Sequence, residues 1–317
     1  MKVFICGVGR SGTTYLKELL NSHPDVFIPT ESLFLVDYLR YQHKIPIGYL
    51  SFLFFKEPQL RSWYKGRPFS FNCIEEAIDQ VHKQAMEDKG ASFWGQKTPR
   101  FIRHVELLNS AYDDLKWVFI YRDPRAVVAS MLASKRHTYS VKRACKRWLK
   151  DNAPIVSRLE NRCGKNEKII KYEEFVRDFE EQLEELLAYL NLKPVSVEGL
   201  EENFSPTIYV YSNAKFKVNT VRNGLRPDKS RIFSFQNRLN RWQMRLVEFY
   251  CKNLMARMGY ACQYESDSIS KLDKVRDWVA GLKDILILFQ YLLKWPSYLV
   301  VTFIRKSSFF LLSRITR

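Results

Sequence analysis

The sequence predicts an α/β protein with a central parallel sheet and helices on both faces. Two short apolar runs and a third, short strand candidate, each followed by a segment with helical spacing, carry this prediction. The three pairs of strand and helix are residues 3–6 with 12–22, 115–121 with 124–134, and 167–171 with 173–190. Because the first run ends in a glycine-rich turn directly before its helix, we expect a three-layer fold of the P-loop-like kind.

Local signals support the individual elements. Leu16, Leu19 and Leu20 share one face of the first helix, and His-Pro-Asp at 23–25 ends it. Pro124 suits the first turn of the second helix. Further helices are predicted over residues 33–43, 74–88, 138–160 and 236–258, the last closing at Gly259-Tyr260.

The C-terminal segment differs in character from the rest, so we divide the chain into a domain over residues 1–262 and a basic, amphipathic helical tail over 263–317. In the tail, apolar residues recur at helical spacing: Ile269, Leu272, Val275, Val279, Leu282, Leu286, Phe289 and Leu293. From Ser268 to Arg317, nine Lys/Arg against three Asp give a net charge of +6. Two interpretations stay open: an interfacial hairpin on an anionic membrane, or a helical appendage packed on the core or on a second subunit.

The formal net charge of +17 on 317 residues indicates anionic partners. A basic stretch from Lys135 to Lys150 carries seven Lys/Arg and no acid; it is either a solvated helix face or a surface for an anionic acceptor or lipid headgroups. A nucleic-acid partner would also need base-stacking aromatics or a reading element, and we expect none. The six cysteines form no C-x-x-C pair, and the chain runs from Met1 straight into the first strand, so we predict reduced thiols and a cytoplasmic protein, peripheral on the inner membrane face.

The turn after the first strand, Gly-Val-Gly-Arg-Ser-Gly from Gly7 to Gly12, has the glycine spacing of a P-loop. Thr13 stands where nucleotide-hydrolysing enzymes carry lysine, and the loop's cation is Arg10. Backbone N–H groups and a helix N-terminus favour a phosphate here. The sequence therefore predicts a phosphorylated-nucleotide site that lacks the usual lysine, which argues against a nucleotide kinase.

Four stretches together resemble the sulfotransferases that use 3′-phosphoadenosine-5′-phosphosulfate (PAPS), above all the branch with protein-tyrosine sulfotransferases and bacterial relatives. They are Gly9-Arg-Ser-Gly-Thr-Thr14, His23-Pro-Asp-Val26 leading to Thr30-Glu31, Phe93-Trp-Gly-Gln-Lys-Thr-Pro99, and Tyr121-Arg-Asp-Pro-Arg-Ala-Val-Val-Ala-Ser130. The resemblance covers about residues 1–260.

The resemblance implies a site for PAPS, which leaves as adenosine 3′,5′-bisphosphate (PAP). The counterparts of the phosphosulfate-binding loop are Arg10, Ser11, Gly12, Thr13 and Thr14. Arg122 and Ser130 match the family's clamp on the 3′-phosphate, and Ser212 matches a further PAPS contact more loosely. Arg125 is expected to serve structure rather than binding.

The resemblance also implies catalytic roles for Glu31, Arg10 and Lys97. Transfer to a hydroxyl needs a group that takes the acceptor's proton, and Glu31 stands where that branch of the family has its base. Arg10 and Lys97 would stabilise the charge that grows on the leaving phosphate. His23 is the rival base, although a packed histidine is the expected outcome at that position.

The implied reaction is transfer of the sulfuryl group of PAPS to an acceptor hydroxyl. The five histidines show no ligand spacing, so no metal site is expected. For the acceptor we expect a hydroxyl of a carbohydrate or glycolipid. The alternatives are a P-loop nucleotide kinase and a non-catalytic, membrane-associated nucleotide-binding protein.

Overall fold

The computed structural model describes residues 2–134, 137–161, 163–204, 225–264, 268–286, 289, 302–303, 305–307 and 309–310, together with the backbone of 208–211 and 214–217. Its centre is a parallel sheet with the order β2-β3-β1-β4-β5. The strands are β1 (Lys2–Gly7), β2 (Val26–Phe27), β3 (Phe93–Lys97), β4 (Leu115–Tyr121) and β5 (Glu167–Lys171). The predicted fold class is confirmed.

Helices surround this sheet, and a second, antiparallel pair of strands follows later in the chain. The helices are α1 (Thr13–Asn21), α2 (Phe34–Tyr41), α3 (Ile47–Phe54), α4 (Pro58–Arg61), α5 (Ile74–Glu87), α6 (Val105–Asn109), α7 (Pro124–Ala133), α8 (Val141–Glu160), α9 (Tyr172–Arg177), α10 (Phe179–Tyr189), α11 (Val197–Glu202), α12 (Arg241–Arg257) and α13 (Lys271–Leu282). Short 3₁₀ segments lie at Gln42–Lys44, Pro99–Arg103 and Lys229–Arg231, and the paired strands are β6 (Ile208–Tyr211) and β7 (Ala214–Lys217).

The two faces of the sheet carry separate cores, as alternation along buried strands requires. In β1, Phe4 and Cys6 face the larger core, which is built with α2, α5, α7, α8 and α12. Val3 and Ile5 face the smaller one, built with α1, α9 and α10. Because these strands run parallel, the carboxyl ends of β1, β3, β4 and β5 lie together at one edge of the sheet.

The strand order places β1 between β3 and β4. Since the chain turns to opposite sides of the sheet after β1 and after β4, the loop that leaves β1 lies at the switch point where open α/β sheets bind ligands.

Two predicted helices need correction, and two strands were not predicted. The helix expected over 173–190 is two helices, because Asp178 leaves the helical conformation (φ −113°, ψ 49°) while Phe175 and Phe179 both stay in the core. The helix expected from 236 begins at Arg241, after a capping box formed by Asn240 and Gln243. Strands β2 and β3 were not predicted; β3 is buried throughout, yet its polar Gln96 and Lys97 hide it from a search for apolar runs.

Part of the tail packs on the body. Arg305 is buried and forms ion pairs with Asp37 at 3.2 Å and with Glu57. The ring of Phe309 lies 5.3 Å from that of Tyr38, edge to face. The rest of the predicted hairpin, residues 287–301 apart from Phe289, lies outside the described residues. Within the part of the chain that the structure describes, no helix is both long and apolar enough to cross a membrane.

Candidate active site at the carboxyl edge of the sheet

The loop between β1 and α1 has the geometry of an anion cradle. Arg10 and Gly12 both adopt positive φ values, 82° and 101°. Such a value is strained for arginine, and strain of this kind concentrates at ligand-binding loops. Helix α1 begins at Thr13 with no side-chain cap on its first amides, so these N–H groups are free to bind an anion.

The Ser11 hydroxyl is a candidate ligand-binding group in this loop. Its side chain is fully buried, and its Oγ has no hydrogen-bond partner among the residues that the structure describes. Buried hydroxyls without a partner are rare because their desolvation is uncompensated. An oxyanion of a bound phosphosulfate would satisfy this hydroxyl.

The loop is linked to α7 through its arginine. Arg10 Nε donates to Ser130 Oγ at 2.9 Å. The Ser130 hydroxyl, as an acceptor of this bond, still has its own proton to donate to a ligand. The two predicted phosphate-binding segments therefore meet in one site.

Glu31 and Lys97 form an ion pair beside the loop. Lys97 Nζ lies 2.5 Å from Glu31 Oε1 and 3.3 Å from Thr14 Oγ1. The side chain of Lys97 is 1% exposed and that of Glu31 is 36% exposed, so the carboxylate faces the solvent side of a buried ammonium. This arrangement offers a proton acceptor to an incoming group and a cation to the loop ligand.

A chain of buried hydrogen bonds links the residues next to Glu31 and Lys97 in the sequence. Ser32, next to Glu31, donates its hydroxyl proton to Gln96 Oε1, and Gln96, next to Lys97, donates its amide proton to His82 Nε2. His82 Nδ1 then donates to the Ile78 carbonyl at 2.6 Å. Burial lowers the pKa of His82 to about 3, so the imidazole is neutral and the tautomer follows from these partners. None of these partners was predicted from the sequence.

Arg122, directly after β4, lies on an aromatic ring. Its guanidinium carbon is 4.0 Å from the centre of the Tyr172 ring, and Nη2 donates to the Arg231 carbonyl at 2.6 Å. Nε is buried and has no partner among the described residues. The contact with the Tyr172 ring positions the guanidinium, and its Nε could donate to a phosphate.

Gly12 fits against the same tyrosine. A Cβ on Gly12 would lie 2.8 Å from Tyr172 Cδ2, closer than carbon atoms can approach. Tyr172 therefore contacts the loop with its edge and Arg122 with its face.

Arg125 is structural, as expected. It binds Asp123 through Nη2 at 2.7 Å and Glu248 through Nη1 at 2.9 Å, while Asp123 also accepts from the Arg125 amide as the N-cap of α7. Among the described residues, Arg122 forms no ion pair with the neighbouring Asp123, because the Asp123 carboxylate binds Arg125.

Replacing Arg125 with methionine should lower the free energy of unfolding by about 3 kcal/mol, because two buried carboxylates lose their shared cation. Urea denaturation of Arg125→Met measures this loss. Arg257→Met, which breaks an exposed pair with Glu160, is the control and should leave the midpoint unchanged. Equal midpoints for the two variants would contradict the structural role of Arg125.

Among the other predicted residues, His23 is packed rather than available for catalysis. It is buried, its Nδ1 accepts from the Asp25 amide at 3.1 Å, and its Nε2 bonds to the Lys193 carbonyl at 3.1 Å. Both ring nitrogens are therefore used by the backbone. Ser212 lies outside the described residues.

Two cations near the loop were missed. Arg147 of α8 comes within 3.2 Å of where a Cβ on Gly9 would stand, and it belongs to the basic stretch noted in the sequence. Lys17, in α1, is fully buried beside Glu18, and burial lowers its pKa to about 8. Lys17 was not predicted as a buried cation, because its neighbours in the sequence are the apolar residues of α1.

The comparisons with known proteins identify the family. The model of the "Sulfotransferase family" matches residues 2–196, more than half of the chain. The chain belongs to the sulfotransferase family. This family match spans the loop, Glu31, Lys97, Arg122 and Ser130.

Two curated relatives are similar in sequence to this sulfotransferase-family chain. The nodulation protein NoeE of Sinorhizobium fredii is 24% identical over 224 residues, covering 63% of this chain and 52% of the relative. A putative protein-tyrosine sulfotransferase of Caenorhabditis briggsae is 23% identical over 232 residues, covering 69% of this chain and 78% of the relative. The match thus spans about half the length of NoeE.

Two solved sulfotransferase domains have the same fold. The domain from the curacin biosynthetic pathway superimposes with a TM-score of 0.57 at 18% identity, covering 82% of this chain and 97% of that domain. The domain from the Synechococcus PCC 7002 olefin synthase gives a TM-score of 0.56 at 17% identity, with 82% and 95% covered.

Proposed function

We propose that this protein is an enzyme that transfers the sulfuryl group of PAPS to an acceptor hydroxyl. The observation that carries the proposal is a pair of buried donors, Ser11 Oγ and Arg122 Nε, that have no partner among the described residues. They lie in the two segments that the family motifs assign to the donor's phosphates. Family membership supports sulfuryl transfer as the chemistry. The domain over residues 1–262 is proposed to carry it.

The residues of the loop and of α7 fit a donor with two anionic ends. The amides of Gly12, Thr13 and Thr14 and the Ser11 hydroxyl would bind the phosphosulfate, and Arg122 with Ser130 would bind the 3′-phosphate. The Arg10–Ser130 hydrogen bond supports this assignment, because it joins the loop to α7. Ser212 is retained as a proposed donor contact.

Glu31 is proposed as the general base. As a carboxylate it accepts the proton of the acceptor hydroxyl, whose oxygen forms the new bond to sulfur while the bond from sulfur to the 5′-phosphate oxygen breaks. Arg10 and Lys97 stabilise the negative charge that moves onto this leaving oxygen. No step in this scheme needs a metal ion.

The acceptor is proposed to be a carbohydrate or glycolipid hydroxyl. Ser62 Oγ lies 3.1 Å from Thr30 Oγ1, so the residue before Trp63-Tyr64 contacts the residue before Glu31, which supports an acceptor site on this side of Glu31. Aromatic rings with a polar edge suit the faces and hydroxyls of sugars. Incubation with labelled PAPS and a panel of oligosaccharides, glycolipids and tyrosine peptides tests this part; labelling of the peptides alone would reject it.

Calorimetric titration without magnesium tests the donor site. We expect PAP to bind about 100-fold more tightly than 5′-AMP or ATP, because only PAP offers a 3′-phosphate to Arg122 and Ser130. Tighter binding of ATP with magnesium would instead favour a nucleotide kinase.

A further inference from the structure

Helix α13 contacts the body through its acidic side. Asp277 accepts from Ser140 Oγ at 2.9 Å and from the Val141 amide at 2.6 Å, and Asp284 accepts from the Tyr139 amide at 2.7 Å. Asp277 lies at the N-terminus of α8, where negative charge is favourable, and Asp284, just after α13, binds the segment that precedes α8. The polar side of α13 is therefore the side that faces the protein.

The opposite side of this helix is apolar and exposed. We define the apolar stripe as the following residues, each between 46% and 66% exposed: Leu272, Val275, Trp278, Val279, Leu282, Ile285, Leu286 and Phe289. Their spacing places them on one face of a helix, about opposite to Asp277 and Gly281. Because the acidic side is held by the body, α13 cannot turn this stripe inward.

A basic cavity of about 530 Å³ adjoins the stripe between α8, α12 and α13. Its lining includes Lys142, Lys146, Lys274, Tyr250 and Trp278, and Trp278 also belongs to the stripe. Among the residues that the structure describes, no carboxylate forms an ion pair with these three lysines; Asp277, which also lines the cavity, is bound to the amides of α8. The cavity therefore offers three ammonium groups to an anion, with aromatic walls.

We propose that this surface docks the protein on an anionic lipid bilayer. The apolar stripe enters the boundary between headgroups and acyl chains, and Lys142, Lys146 and Lys274 bind lipid phosphates at the same depth. A symmetric dimer through the stripe would instead bring these lysines against their own copies, which is unfavourable. The proposal is independent of the proposed sulfuryl transfer.

Sedimentation with sucrose-loaded vesicles tests this surface in the full chain. We expect binding to phosphatidylcholine vesicles that contain phosphatidylglycerol and little binding to phosphatidylcholine alone. Replacing Lys142, Lys146 and Lys274 with glutamine should weaken binding by about 100-fold, since each lysine near an anionic surface contributes. As the matched control, glutamine at the exposed Lys83, Lys165 and Lys193 removes equal charge and should change binding by less than about threefold.

A second variant tests the apolar contribution. Serine at Val275, Val279 and Leu282 should reduce vesicle binding by about tenfold or more while the thermal midpoint stays unchanged, because these side chains are exposed in the folded protein. The proposal fails if this variant binds vesicles like the wild type. It also fails if phosphatidylglycerol does not increase vesicle binding by the wild type. A dimer in light scattering that the serine variant converts to monomer would contradict it as well.

Discussion

Replacing Glu31 with glutamine should lower the turnover of sulfuryl transfer by about 100-fold or more while the affinity for PAP stays within about twofold. Glutamine has nearly the shape of glutamate and keeps an oxygen for Lys97 Nζ, but it cannot accept the acceptor's proton. The measurement is transfer from labelled PAPS, or its slow hydrolysis when the acceptor is unknown, together with calorimetry of PAP binding.

The control is the same change, glutamate to glutamine, at an ion pair outside the candidate site. Glu185→Gln breaks the ion pair between Lys168 Nζ of β5 and Glu185 Oε2 of α10, which lie 3.0 Å apart, and should leave turnover unchanged. Unchanged turnover would reject Glu31 as the base and favour a nucleotide-binding protein without catalysis.

Replacing Arg122 with methionine should weaken PAP binding by about 100-fold and leave the much weaker binding of 5′-AMP nearly unchanged, because only the 3′-phosphate loses its charge-assisted bonds. Methionine keeps an apolar chain over the Tyr172 ring, so the packing 4.0 Å away is largely preserved. Competition titrations with the two nucleotides give the ratio directly.

The comparison variant for Arg122 is again Arg257→Met, which removes a guanidinium bound to Glu160 at 2.7 Å on the surface. It should bind PAP like the wild type. If Arg122→Met weakened PAP and 5′-AMP equally, Arg122 would contact a part of the nucleotide that both share, and the 3′-phosphate clamp would need other residues.

Strands whose side chains are all apolar, or nearly so, were predictable from the sequence. The limits of β4 agree with the predicted run, since a buried parallel strand reads as a continuous apolar segment. The limits of β5 also agree with the prediction, although this strand has charged residues at both ends and a single buried residue, Ile170. By contrast β3 was not recognised, because Gln96 and Lys97 use buried positions for hydrogen bonds and charge rather than for packing. The polar residues that β3 contributes to the site are therefore the reason why this strand could not be predicted.

The loop, Arg122 and Ser130 could be selected from the sequence because short motifs carry them. The contacts between them could not, because they join residues far apart in the chain: Arg10 to Ser130, and Lys97 to Glu31. Arg147 and Tyr172 were missed for the same reason, since only the folded chain places them against Gly9 and Gly12.

The contact between Gly12 and Tyr172 limits which substitutions the chain can accept at these two positions. A single methyl group added at Gly12 would displace the tyrosine ring, and the ring is also the support of the Arg122 guanidinium. A larger residue at position 12 is therefore accessible only together with a smaller one at 172, and that second change would leave Arg122 without its platform. We expect homologous chains to change these three positions together or not at all.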